Sequence, residues 1–140
     1  MALAEGFETS QTMLAGEFLT LGQLIKRGYL ASVTLGNAKY IDILVHNLQT
    51  GRNYNVQVKA VRKRNAFPIK QQLVKPDHVY VFVTLNKKDE AEQFYIVRGD
   101  KLLSDVNHFW GSGYINNQTR PAVNYGPLKP YLANWNEFEK

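Results

Sequence analysis

Two short stretches constrain this chain more than anything else in it. NYNVQVKA (53–60) alternates apolar and polar residues cleanly, and KYIDILV (39–45) alternates before becoming wholly apolar. A period of two is the signature of a strand buried on one face. HNLQTGR joins them with the turn chemistry of a hairpin. A two-residue turn at Gln49-Thr50 sets Ile41 against Val58, Ile43 against Val56 and Val45 against Tyr54, all on one apolar face. Asp42 then stands across from Gln57 on the other face, with Lys59 two residues further on. A turn one residue later puts Asp42 opposite Lys59 and leaves both faces intact. The pattern settles parity and leaves register open.

Around this hairpin the other elements are simpler. Residues 9 to about 28 predict a helix: Thr9 or Ser10 can cap it, Leu14, Phe18, Leu21 and Ile25 recur at helical spacing, and Gly28 ends the pattern. HVYVFVTL (78–85) suits the middle of a covered sheet, QFYIV (93–97) is a further strand, and GDKLLSDVNHFW (99–110) a short helix. The order helix, three or four strands, helix predicts an α/β or α+β sandwich with a mostly antiparallel sheet. No repeat, low-complexity run or linker divides residues 1–140, which read as one domain. Residues 106–140 hold seven of the seventeen aromatics and are expected to wrap the core as a C-terminal extension, although such rings can also stack on bases.

Composition narrows the setting. With 44% apolar and 21% charged residues the chain is globular and not disordered. It has no cysteine, which excludes disulfides and cysteine-ligated metal and agrees with a cytoplasmic protein. No apolar run is long enough for a membrane span, and the first residues carry glutamates where a signal peptide has basic residues. Between Asp42 and Asp77 no acidic residue occurs, while Arg52, Lys59, Arg62, Lys63, Arg64, Lys70 and Lys75 all fall there. Such an interval is a solvated basic loop or a grip for a polyanion such as nucleic acid.

Asp42 is a carboxylate among apolar strand neighbours, a poor place for one without a role. On the helix, Leu14, Phe18, Leu21, Leu24 and Ile25 define the expected buried arc at about 100° per residue, and Glu17 falls inside it. A carboxylate there must be paired, solvated through a pocket or bound to metal. Glu17, Asp42, Gln57 and Lys59 are each more simply structural when taken singly. A helix glutamate, a strand aspartate and Gln-x-Lys on the paired strand, all expected on one side, are much harder to obtain by chance.

In these elements the chain resembles a known family. GEFLTLGQLIKRGYLAS (16–32), followed by YIDILV and NVQVKA, looks like the core of the PD-(D/E)XK nuclease superfamily, the restriction-endonuclease-like fold of type II restriction enzymes and archaeal Holliday-junction resolvases. The resemblance covers residues of about 12 to 98. It implies a mixed sheet of about four strands flanked by helices, and a metal-dependent nuclease acting on DNA. It identifies Glu17 with the family's helix glutamate, Asp42 with its strand aspartate, Gln57 with its second carboxylate and Lys59 with its lysine. The implied metal is magnesium or manganese held by Asp42, Gln57 and Glu17, with Arg62, Lys63 and Arg64 on the nucleic-acid backbone. Gln23 is a supporting candidate, and the tail with Tyr131 and Trp135 is similar to small stand-alone bacterial members. Many relatives are dimers, so a homodimer is compatible.

The chain departs from the family pattern at two positions. Ile41 stands at the loosely kept proline, and Gln57 stands where the family has an acid. An amide oxygen is a weaker ligand for a hard cation than a carboxylate, though the family includes active members with glutamine here. A second reading therefore stays open: a nuclease-fold protein with weakened catalysis that serves as a nucleic-acid-binding or accessory module. A third is an interaction domain without nucleic acid. His46, His78 and His108 lack metal-ligand spacing and read as turn, strand-edge and helix-end residues. GSGY (111–114) lacks the lysine of a phosphate-binding loop, and no serine has a nucleophile-elbow context.

Overall fold

The computed structural model describes residues 5–34, 41–114 and 119–140. Its first element is helix α1 (Glu5–Lys26), closed where Gly28 takes a φ of +94°, a conformation that costs a glycine nothing. Strands β1 (Leu30–Val33), β2 (Ile43–His46), β3 (Asn53–Val61), β5 (Val79–Thr84) and β6 (Gln93–Arg98) form one sheet in the order β1-β2-β3-β5-β6. All neighbours are antiparallel except β3 and β5, which run parallel. The sheet is thus mixed and mostly antiparallel, as expected, with one strand more than the three or four read from sequence. The addition is β1, whose four residues LASV are too few to show a period.

β2 and β3 pair Ile43 with Val56 and Val45 with Tyr54, the first of the two registers allowed by the pattern. The link between them is a correction to the two-residue turn. Residues 47–52 form a longer loop in which the Asn47 side chain accepts the Gln49 and Thr50 amides, and Gly51 adopts a φ of +76°. Residues 39 and 40, the start of the expected first strand, lie outside the described residues.

Both faces of the sheet are covered. On one, Ile43, Val45, Tyr54, Val56 and Val58 meet α1 and the aromatic residues Tyr29, Trp135 and Phe138. On the other, Tyr80, Phe82, Tyr95 and Val97 meet a layer built from Phe67, Leu102, Phe109, Trp110 and Val123. This second layer includes β4 (Phe67–Pro68), which pairs with β7 (Ala122–Val123). It also includes α2 (Gly99–Ser104), α3 (Val106–Trp110) and α4 (Tyr125–Leu128). The single helix expected over 99–110 is broken at Asp105, whose carboxylate caps α3 by accepting the His108 amide. At the end of the chain Asn47 donates to the Phe138 carbonyl at 2.8 Å and Tyr54 to the Lys140 carbonyl.

The buried arc of α1 is also a correction. Among the helix residues whose burial is described, Thr12, Gly16, Thr20 and Leu24 are buried, whereas Leu14, Phe18 and Ile25 are exposed. Small residues win because the helix sits close to the sheet: a Cβ added to Gly16 would lie 2.6 Å from the Ala60 Cβ.

Candidate functional site

The site begins where β2 leaves β3. The Asp42 amide still donates to the Val56 carbonyl at 2.8 Å, but the strand pairing ends one residue later in space, leaving the Val58 N–H without a main-chain partner on that side. The Asp42 carboxylate fills the gap and accepts this N–H at 2.7 Å. A carboxylate in that place is fixed in the plane of the sheet, against the main chain between Gln57 and Lys59, and can be reached from the helix above.

Glu17 comes from that helix. Gly16 against Ala60 and Val58 sets the height of α1 over β3, which brings the half-buried Glu17 carboxyl within hydrogen-bonding reach of Asp42. Burial first, and then the Asp42 charge, push the Glu17 pKa from 4.5 up to about 7. Two carboxylates sharing one partly buried corner hold a proton between them or call for a cation.

Gln57 and Lys59 leave β3 from the opposite face, the one shared by their register partners Tyr80 and Phe82. The four residues therefore surround the end of β2 from two sides, a correction to the expectation of a single face. Gln57 is buried, and its amide nitrogen lies 3.0 Å from both His78 Nδ1 and Tyr80 Oη. Lys59 borders a groove of about 480 Å³ between the first turns of α1 and the strands, lined also by Thr12, Met13, Arg62 and Phe67. Arg62, Lys63 and Arg64 follow in the exposed loop after β3 and line a second groove with Asn86 and Lys87. Arg62 faces Glu8 at 3.9 Å, and Arg64 Nε donates to Gln93 at 3.0 Å. Gln23 lies half-buried further along α1.

Among the described residues no group of three or more His, Cys, Asp or Glu side chains is arranged to hold a metal ion. The oxygen donors brought together are the two carboxylates of Glu17 and Asp42. Oxygen donors with excess negative charge suit a hard divalent cation such as magnesium or manganese.

Two residues important to this arrangement escaped the sequence reading. His78, taken as a strand-edge residue, is buried against Gln57, and burial lowers its pKa. Tyr80 joins it, its hydroxyl accepting both the Lys75 amide at 2.8 Å and the Gln57 side chain. The signal was HVY, two polar-tipped residues at strand spacing, but which strand they face depends on a parallel pairing across 21 residues that periodicity cannot reveal.

No family model matches the chain, and no curated protein matches it. Among solved structures it is similar to a bacterial homing endonuclease, I-Ssp6803I, with a TM-score of 0.51 and 19% sequence identity over 69% of each chain. The likeness is one of fold, a mixed sheet flanked by helices.

Proposed function

We propose that this chain is a metal-dependent nuclease of the PD-(D/E)XK kind that hydrolyses phosphodiester bonds in DNA. The observation that carries the reading is the meeting of Glu17 and Asp42 at the point where Asp42 is bonded to the β3 main chain between Gln57 and Lys59. The similar solved structure is that of a homing endonuclease, which adds support from fold alone.

In this reading Asp42, Glu17 and the Gln57 amide oxygen hold magnesium or manganese. The cation supplies Lewis-acid polarisation of the phosphate and a bound water of lowered pKa. Asp42 is held for this role by the Val58 N–H, so it need not reorganise. In the metal-free chain burial and the Asp42 charge raise the Glu17 pKa to about 7, and a cation beside both carboxylates would favour their ionised forms. Lys59 offers a positive charge to the phosphate oxygens as water attacks phosphorus and the bridging P–O bond breaks. Arg62, Lys63 and Arg64, exposed just beyond it, bind backbone phosphates without reading sequence.

The test is cleavage of plasmid, single-stranded and branched DNA with magnesium and manganese, comparing wild type with Lys59→Ala and Asp42→Asn. Asparagine keeps an acceptor for the Val58 N–H, so loss of activity there reports chemistry and not folding. Metal-dependent cutting that falls about 1,000-fold or more in both variants is the expected result. Cutting that survives both substitutions refutes the assignment. Salt-sensitive binding without cutting favours the weakened-catalysis alternative.

A further inference from the structure

Replacing a carboxylate by glutamine in a metal site creates a problem of orientation. The two oxygens of a carboxylate are equivalent, so either end serves as ligand. An amide has one oxygen and one NH₂, and the NH₂ end repels a cation. A chain that uses glutamine there must choose which end faces the metal, and the two choices differ only by a rotation about the last side-chain bond.

The neighbours of Gln57 make that choice. Its amide nitrogen lies 3.0 Å from His78 Nδ1, just before β5, and 3.0 Å from Tyr80 Oη on β5. A hydroxyl donates or accepts, so Tyr80 alone tolerates either end of the amide. An imidazole nitrogen without a proton accepts only, and that restricts the neighbour to an N–H. The pair is itself firmly built. The Lys75 amide donates to Tyr80 Oη, and the His78 amide donates to the Lys75 carbonyl at 3.2 Å. Gly99 presses on the same turn, where an added Cβ would meet the Lys75 carbonyl oxygen at 1.9 Å.

We propose that His78 is a positioning residue: its unprotonated Nδ1 accepts the Gln57 amide N–H and so presents the amide oxygen, not the nitrogen, away from β5 for a divalent cation. The inference rests on the metal-site reading above and adds to it a residue that touches neither metal nor substrate. A second contact of this kind around a metal ligand is worth about 10- to 100-fold in affinity.

Manganese binding, measured by electron paramagnetic resonance without nucleic acid, tests this on the full chain. His78→Leu should weaken binding about 10-fold, and His78→Asn, whose amide oxygen can accept the same N–H, should restore most of it. In a Gln57→Glu background His78→Leu should change affinity less than about threefold, because both ends of the glutamate are oxygen. In the wild type, nitrogen-15 spectra of the imidazole should show Nδ1 unprotonated, a reading that holds even if His78→Leu fails to fold. A protonated Nδ1, or an equal loss in the glutamine and glutamate backgrounds, overturns the proposal. If Gln57→Ala leaves manganese affinity intact while Asp42→Asn abolishes it, the orientation proposal falls and the metal site stands. If both leave it intact, the metal-site reading itself falls.

Discussion

Glu17→Gln should make the metal-free protein more stable at alkaline pH. The Glu17 carboxyl is held at about 7 in the folded chain against 4.5 for an unhindered glutamate. The folded state thus binds this proton more tightly than the unfolded state does. Its stabilising contribution is complete below about pH 4.5 and is lost as pH rises through about 7. At 1.36 kcal/mol per pH unit the displacement corresponds to about 3 kcal/mol, and solvent screening at a half-exposed carboxyl reduces this to about 1–2 kcal/mol. Glutamine is nearly isosteric and cannot ionise, so the variant escapes the loss. With a chelator present, it should match the wild type at pH 5 and exceed it by about 1–2 kcal/mol at pH 8, or about 3–8 °C in Tm for a domain of this size.

Urea denaturation followed by circular dichroism from pH 5 to 8 measures this directly. The quantity of interest is the difference between variant and wild type, because titrating groups distant from this corner cancel in it. A difference that stays flat across the range, or a wild type that is the more stable at pH 8, refutes the account of two carboxylates crowded in one corner.

The remaining expectations concern the scaffold and the grip. Gly16→Ala adds a methyl 2.6 Å from the Ala60 Cβ. Overpacking of about 1–3 kcal/mol should outweigh the roughly 1 kcal/mol that alanine contributes to a helix, so the variant should be less stable by denaturation and should bind manganese more weakly as Glu17 is lifted off Asp42. Phe138 is fully buried with its ring 5.3 Å from Tyr54 and 5.8 Å from Tyr29. Phe138→Ala should cost about 3–5 kcal/mol in urea, and a loss below 1 kcal/mol would contradict its place in the core. Replacing Arg62, Lys63 and Arg64 together by alanine should weaken DNA binding alike for all sequences and make the log–log salt slope shallower by about 2 to 3; an unchanged slope would remove them from the interface.

Much of the hairpin was legible because period two leaves little freedom. Ile43, Val45, Tyr54, Val56 and Val58 are all buried on one face, as the alternation required. Turn chemistry also reads well locally, as at Gly28 and Gly51. The helix misled because its large apolar residues, Leu14, Phe18 and Ile25, point outward, while a row of small ones lets the backbone approach β3. Hydrophobicity ranks side chains by what they gain from burial, whereas close approach selects for what they lack. For the candidate site, type and spacing single out four residues whose role is a proposal. Their division between two faces was hidden, because it follows from where β2 separates from β3. The His78–Tyr80 pair depended on the parallel β3–β5 register, a long-range choice that no local pattern encodes.

That parallel pairing has a consequence for how such a chain can change. Two parallel neighbours cannot be joined by a tight turn, so residues 62–78 must travel from one end of the sheet back to the other. The three exposed cations ride at the start of this return path, immediately after the strand that carries Gln57 and Lys59. A connection of this kind lengthens cheaply: doubling it costs only about 0.6 kcal/mol in closure entropy. The exposed residues 62–65 at its start are therefore a graft point, whereas Phe67, Ile69 and Val74 further along are buried in the second layer and anchor the return path.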